Sequence, residues 1–317
     1  MINRQTRKLL VADAASYSGG WVSTVAVFQE AREGYHAALI QEGVLSLSPR
    51  RKPKAGRPDQ IPSNADGESS TSIAIAQAIL DQIQFKTKAT VRLAGQVSGN
   101  LFEHLTQQFV EKTFGSLKNI RPGKWDCSTA KRAISRYGEY HHLAKLSELA
   151  KRYEAPALHL GHKSGYLIAP DILLVREPET DEVINAKGLL VDDNVARRSG
   201  LRQRNNSLPL LHASISCKWT LRSDRAQNAR SEALNLIRNR KGRVPHIVVV
   251  TGEPLPSRLA SLALGTGDID CVYHFALPEL IASVEKLKNE EALNVVKMLA
   301  DGKRLKDIAD LPLDLAV

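Results

Sequence analysis

Asp171, Lys218 and Glu232 are residue types that together could hydrolyse a phosphate ester. Cutting a phosphodiester with Mg²⁺ needs carboxylates that hold the metal beside the scissile phosphate. It also needs a cation that orients the attacking water and offsets the charge of the pentavalent phosphorus. Hard divalent ions take oxygen ligands, so Asp and Glu suit the metal and Lys suits the phosphate side. Asp171 follows Pro170 on one candidate strand, and Lys218 ends Ser216-Cys217-Lys218 on another. If the two strands are neighbours, both side chains point into one cleft, and Glu232 reaches in from the helix beyond. Spacing alone carries little, since an Asp and a Lys so far apart occur in almost any chain. The competing reading is a surface Asp, a strand-edge Lys and a helix Glu paired with Arg230 or Asn228.

Charge is concentrated around these residues. The 317-residue chain has 44 Lys and Arg against 34 Asp and Glu, a net +10. Residues 218–243 hold eight of those bases against only Asp224 and Glu232, a net +6 that is more than half of the whole excess. Taken alone such a run reads as a solvated helix face. Its placement adds to that, because Arg222, Asp224 and Arg225 stand at the mouth of a helix directly after the Lys218 strand. Arg is shaped for the O6/N7 edge of guanine, and Asp accepts from N4 of cytosine. The tetrapeptide Arg222-Ser-Asp-Arg225 therefore has the donors and acceptor for reading G·C pairs, where sequence-independent binding needs only positive charge.

The elements that must position these groups show in the hydrophobic pattern. Ile73, Ala76, Leu80 and Ile83 share one helix face, and Leu101, Leu105, Phe109 and Leu117 another. A third helix is expected over 137–152. A strand is expected over 166–175, bent at Pro170, and another over 211–220. In the latter Leu211, Ala213, Ile215, Cys217 and Trp219 share one face, and His212, Ser214, Ser216, Lys218 and Thr220 the other. A helix over 223–239 closes at Lys241-Gly242. A strand (246–251), a helix (257–264), a strand (271–275) and a helix (278–287) follow. Strands alternating with helices predict one α/β domain with a mixed central sheet. Residues 48–70 collect Ser, Pro and Gly and carry the run Arg50, Arg51, Lys52, Lys54 and Arg57. They read as a basic linker after a small N-terminal piece.

An apolar share of 43% and a charged share of 25% exclude disorder across the chain and a collagen-like class. No apolar run approaches the ~20 residues of a membrane span. Asp13 interrupts the only apolar stretch near the N-terminus, which does not read as a secretory signal. Cys127, Cys217 and Cys271 have no paired spacing and read as buried free thiols of a cytoplasmic protein. His141, His142 and His212 lack supporting ligands for a metal, and Gly265-Thr-Gly267 lacks the Lys-Ser/Thr of a phosphate loop.

The stretches Leu211-His-Ala-Ser-Ile-Ser-Cys-Lys-Trp-Thr and Arg222-Ser-Asp-Arg-Ala-Gln-Asn-Ala-Arg-Ser-Glu232 closely resemble the NgoMIV restriction endonuclease family. So do Asn239-Arg-Lys-Gly-Arg243 and Gly265-Thr-Gly-Asp-Ile-Asp-Cys-Val-Tyr-His-Phe275. The likeness is tightest over 210–278, extends loosely over 61–317, and leaves residues 1–60 as an extension outside it. It implies a PD-(D/E)XK restriction-endonuclease-like core with a mixed sheet flanked by helices, a Mg²⁺ cofactor and cleavage of the palindrome GCCGGC.

Carried over position by position, Asp171 becomes a metal ligand. Ser216 and Lys218 become the Ser-x-Lys element, with Lys218 positioning the nucleophilic water. Glu232 becomes the carboxylate displaced onto the helix, and Glu103 an upstream acid of a second metal site. Arg222, Asp224 and Arg225 match the triplet that reads the inner CCGG. Arg258 and Asp66 match readers of the outer G·C pair, and Gln96 a minor-groove contact. Ser69 is the nearest match to a second minor-groove contact, although Glu68 stands in that column of the pattern.

The resemblance also implies a homodimer paired into a tetramer, a cut after the first G leaving a four-nucleotide 5′ overhang, and a cytosine methyltransferase encoded nearby. Two other classes share the same residues. One is a repair or recombination nuclease that reads DNA structure, and the other is a DNA-binding protein whose nuclease centre has decayed.

Overall fold

A computed structural model of the chain describes residues 25–50, 59–83, 93–129, 133–152, 170–265 and 267–317. Its helices are α1 (Val27–Gln41), α2 (Ser70–Gln82), α3 (Gly95–Gly115), α4 (His141–Arg152), α5 (Asp181–Ile184), α6 (Ser223–Asn239), α7 (Pro256–Ala263), α8 (Leu277–Lys286), α9 (Glu290–Asp301) and α10 (Leu311–Asp314). The strands are β1 (Leu47–Pro49), β2 (Gln60–Pro62), β3 (Trp125–Ser128), β4 (Ile172–Arg176), β5 (Leu210–Lys218), β6 (His246–Thr251), β7 (Cys271–His274) and β8 (Leu305–Asp307).

Strands β3 to β8 form one six-stranded sheet in sequence order. β3, β4 and β5 are antiparallel neighbours, while β5, β6, β7 and β8 run parallel. This is the mixed central sheet expected. Parallel strands need crossover connections, and α6, α7, and the pair α8–α9 supply them. Covered on both faces, such strands become continuous apolar runs. β6 holds Ile247, Val248, Val249 and Val250, all buried. The same covering overrides the two-faced pattern of β5, whose residues 211–217 are all buried, so that its polar face meets protein and not water. Small residues on α6 (Ala229, Ala233) allow that helix to pack closely on the sheet.

The expected division near residue 60 is not where the packing breaks. Ala31, Tyr35, Ala38 and Leu39 of α1 belong to the main core. Arg32 donates to Glu279 (2.5 Å) and Asp307 (2.8 Å), tying α1 to α8 and β8. β1 and β2 pair as an antiparallel ribbon, with Ser48 opposite Ile61. The described ends of the stretch expected as a linker, Leu47–Pro49 and Gln60–Pro62, thus pair as a ribbon. Residues 51–57 of the basic run lie outside the described residues. So do residues 166–169 of the strand expected to bend at Pro170; β4 itself starts at Ile172. The helix expected over 137–152 is one 3₁₀ turn, Gly138–Tyr140, leading into α4. Among the described residues no helix is long and apolar enough to cross a membrane. Cys127, Cys217 and Cys271 are buried and free.

Candidate active site

The antiparallel pairing of β4 with β5 sets Ile172 opposite Ile215. Asp171, one position earlier, therefore comes level with the end of β5. Its Oδ2 accepts from Lys218 Nζ at 2.8 Å, from the Cys217 amide at 2.7 Å and from Ser216 Oγ at 3.3 Å. Only 16% of the Lys218 side chain and 20% of the Asp171 side chain are exposed. Burial alone would push the Lys218 ammonium down. The charge and hydrogen bond of Asp171, helped by Glu232, outweigh it and raise the pKa above that of an ordinary lysine. Lys218 is thus a held cation and donor, not a base.

Glu232 projects from the third turn of α6. Burial pushes its carboxyl up, the charge of Asp171 adds to this, and Lys218 opposes it. The alternative in which Glu232 pairs with Arg230 is not what forms, because Arg230 donates to the carbonyl of Ser261 at 2.6 Å. Glu103, half-buried on α3, lies near enough to β5 for its charge to act on Cys217. Burial raises the Cys217 thiol, and the charges of Asp171 and Glu103 push it further. Trp219 closes the site from behind, with its ring 4.9 Å from that of Phe102 and 5.2 Å from that of Phe275.

The oxygen donors of Asp171 and Glu232 fit a hard divalent ion, and their mutual repulsion is what a cation would relieve. Among the described residues, however, no three His, Cys, Asp or Glu side chains stand together as a ready-made metal centre. The expected trio Asp171, Glu232 and Glu103 is therefore not assembled; Asp171 Oδ2 serves three protein donors instead.

Beside this cluster, at the carboxyl ends of β5 and β6 where α6 and α7 begin, lies an open groove of about 660 Å³. Such ends are where ligands bind α/β sheets. Asp66, Arg222 and Arg258 line the groove, joined by Gln227 and Arg230. Three of the residues expected to read bases thus converge from segments far apart in the chain. Arg258 donates to Asp66 Oδ2. The amide of Glu68 (3.1 Å) and the charges of Arg258 and Arg222 hold the Asp66 carboxyl below its usual range. Arg222 occupies the N-cap position of α6 without capping it through its side chain. Arg225 donates to Thr220 Oγ1 at 3.0 Å. The side chain of Asp224 lies outside what the structure describes.

Two expected contacts stand apart from the groove. Gln96 is exposed on the first turn of α3. Ser69 caps α2, its hydroxyl accepting from the Ser72 amide at 3.1 Å, and it lines a neighbouring cleft. His212, read as structural, has both ring nitrogens engaged: Leu315 O lies 2.6 Å from Nε2, and Arg243 donates to Nδ1 at 2.8 Å.

Sequence reasoning passed over Glu253, a fully buried carboxylate in the turn after β6. Its position just past a parallel strand was the available signal. It also passed over Gly252, where a Cβ would lie 2.5 Å from the Trp219 ring, so that the turn approaches the aromatic floor as only glycine allows.

A half-buried Asp–Lys pair where β4 meets β5, Glu232 near it and an arginine-lined groove at the same strand ends are groups of the kind that can act on a phosphodiester. The family model described as NgoMIV restriction enzyme matches residues 35–317. The type II restriction enzyme NgoMIV of Neisseria gonorrhoeae is 49% identical over 295 residues, covering 92% of this chain and 99% of its own length. A solved complex of the restriction endonuclease PspGI with substrate DNA aligns over 78% of this chain and 92% of its own, at 13% identity and a TM-score of 0.24, too loose an overlay to argue from. The chain belongs to the NgoMIV restriction enzyme family and is a type II restriction endonuclease.

Proposed function

We propose that this endonuclease cuts double-stranded DNA at GCCGGC, after the first G, leaving a four-nucleotide 5′ overhang. The observation that carries the proposal is the adjacency of the Asp171–Lys218 pair to a groove lined by Asp66, Arg222 and Arg258. A cut phosphate and a read base pair lie within one DNA turn, so catalytic and reading groups must share one surface. All of these residues fall within 61–317, the part to which catalysis and recognition are assigned, while α1 of the preceding segment packs into the same core. Asp171 and Glu232 are the carboxylates that would hold Mg²⁺, and Glu103 is assigned to a second metal site. When bound, the ion would polarise the scissile phosphate and acidify a water.

The chain's own residues do the rest. Lys218, kept protonated by Asp171, donates to the attacking water or to a phosphate oxygen. Ser216 holds Asp171 in register. Arg222, Asp224 and Arg225, at the mouth of α6, read the inner CCGG from the major groove, and Arg258 with Asp66 reads the outer G·C pair. Gln96 and Ser69 are assigned to the minor groove. Each subunit reads half of the palindrome, which calls for a homodimer. Two such dimers back to back make the homotetramer. A cytosine methyltransferase must protect the same sites in the host cytoplasm.

Lys218→Ala and Asp171→Ala test the assignment. Each should abolish Mg²⁺-dependent cleavage of a GCCGGC duplex while gel-shift affinity for that duplex survives. Cleavage at the wild-type rate by either variant removes these residues from the catalytic role.

A further inference from the structure

Glu253 lies between the segments that carry the two sets of proposed base readers, bonded to the residue before Arg222 on one side and facing Arg258 on the other. Its Oε2 accepts from the amide of Leu221 at 2.8 Å, the residue directly before Arg222. Its Oε1 accepts from the amide of Leu255 at 3.2 Å, the N-cap residue of α7, the helix that carries Arg258. Oε2 also stands 3.7 Å from Arg258 Nη1, while the other terminal nitrogen of Arg258 donates to Asp66.

The turn that carries Glu253 is itself fixed. The Glu253 amide donates to Thr251 Oγ1 at 3.2 Å, and the buried Asn64 donates to Gly252 O at 2.8 Å, two residues before Asp66. One carboxylate thus joins the end of β6 to the mouth of α6, the start of α7 and the guanidinium of Arg258. It is fully buried and does not line the groove, so it has no route to DNA of its own.

A guanidinium held on two sides by carboxylates loses most of its rotamer freedom before DNA arrives, and a pre-organised donor discriminates better than a mobile one. Burying a carboxyl is costly, and two amides and an arginine are turned toward this one. Burial pushes it above the usual range, with the Leu221 amide and Arg258 pulling the other way. A residue needed only for packing would not place a carboxyl there.

We propose that Glu253 is a positioning residue for specificity: it sets Arg258 against the outer G·C pair and fixes that arginine relative to the inner-pair readers on α6. The inference rests on the assignment of Arg258 and Asp66 to the outer pair of GCCGGC.

The test compares full-length wild type, Glu253→Gln, Arg258→Ala and the double variant. Each is titrated in Ca²⁺ with duplexes holding GCCGGC, ACCGGT (outer pair changed) and GCATGC (centre changed), with thermal melting as a control for folding. Glu253→Gln should lower the preference for GCCGGC over ACCGGT by about tenfold, within the range of one bidentate base contact. Its preference for GCCGGC over GCATGC should change far less. Added to Arg258→Ala it should lower the outer-pair preference no further. An unchanged outer-pair preference, an equal loss on all three duplexes, or additivity with Arg258→Ala would each overturn the proposal. If Glu253→Gln does not fold, Glu253→Asp is read by the same criteria, because it keeps the charge but draws it back from Arg258. A wild type that binds all three duplexes alike overturns the GCCGGC assignment and the positioning with it. A selective wild type beside an equally selective Glu253→Gln overturns the positioning alone.

Discussion

Neutralising Asp171 leaves the Lys218 ammonium half-enclosed with only Glu232 to balance it. At the observed 2.8 Å the direct attraction amounts to about 6 kcal/mol at an effective dielectric near 20. Removing one member of a buried pair costs about 3–5 kcal/mol, because the survivor stays desolvated. Both side chains here retain some exposure, 16% and 20%, so water screens part of the loss and about 2–3 kcal/mol is expected. For a chain of this size that lowers the melting temperature by roughly 3–5 °C. Lys218→Met on its own should cost a similar amount.

The double variant Asp171→Asn/Lys218→Met removes both members of the pair together and leaves Glu232 no worse placed than Lys218→Met alone does. It should be more stable than the sum of the single variants allows by about 1.5–2.5 kcal/mol. Calorimetry of the four proteins at neutral pH, without divalent metal, measures this coupling directly. Additive single and double effects would refute the view that the two residues form one electrostatic unit.

Two further outcomes follow from the surroundings of the site. Gly252→Ala forces a methyl group against the Trp219 ring, where its Cβ would sit 2.5 Å away. It should destabilise the fold by about 1–3 kcal/mol, read as a lower denaturant midpoint with an unchanged slope. His212 and His274 are held neutral by burial, which lowers each pKa from 6.5 to about 4. Between those values the unfolded chain binds protons that the folded one refuses, so stability rises with pH across that window. Stability present above pH 6.5 is lost on acidification toward pH 4, by at most about 3 kcal/mol for each ring. Melting temperatures from pH 7.5 down to pH 5 should fall, and less steeply in His212→Asn.

Much of the fold was legible because its elements have strong local signals. The β-branched run of β6 and the alanine spacing of α6 placed those elements to within a residue. The polar alternation of β5 misled about its surroundings, since burial on both faces depends on which helices return to cover the sheet. Residues 1–47 were set apart as a small N-terminal piece, yet Tyr35 and Leu39 join the core through contacts that no local pattern records. At the site, residue types and family likeness picked out Asp171, Lys218 and Glu232, and strand pairing brought Asp171 to Lys218. The joining of Asp66 to Arg258 crosses most of the chain, and only the tertiary fold displays it. Glu253 escaped notice because a lone buried acid in a turn has no motif. Its meaning comes from the amides and guanidinium that the fold delivers to it.

The central claim is that the Asp171–Lys218 centre cuts DNA where the neighbouring groove reads GCCGGC. Incubating the protein and Mg²⁺ with two unmethylated plasmids, identical except that one carries GCCGGC where the other carries GGCGCC, tests it most directly. The account predicts linearisation of the GCCGGC plasmid, with ends that ligate through a four-nucleotide 5′ overhang, and none of its twin. Equal cleavage of both plasmids, or cleavage of neither, would contradict it.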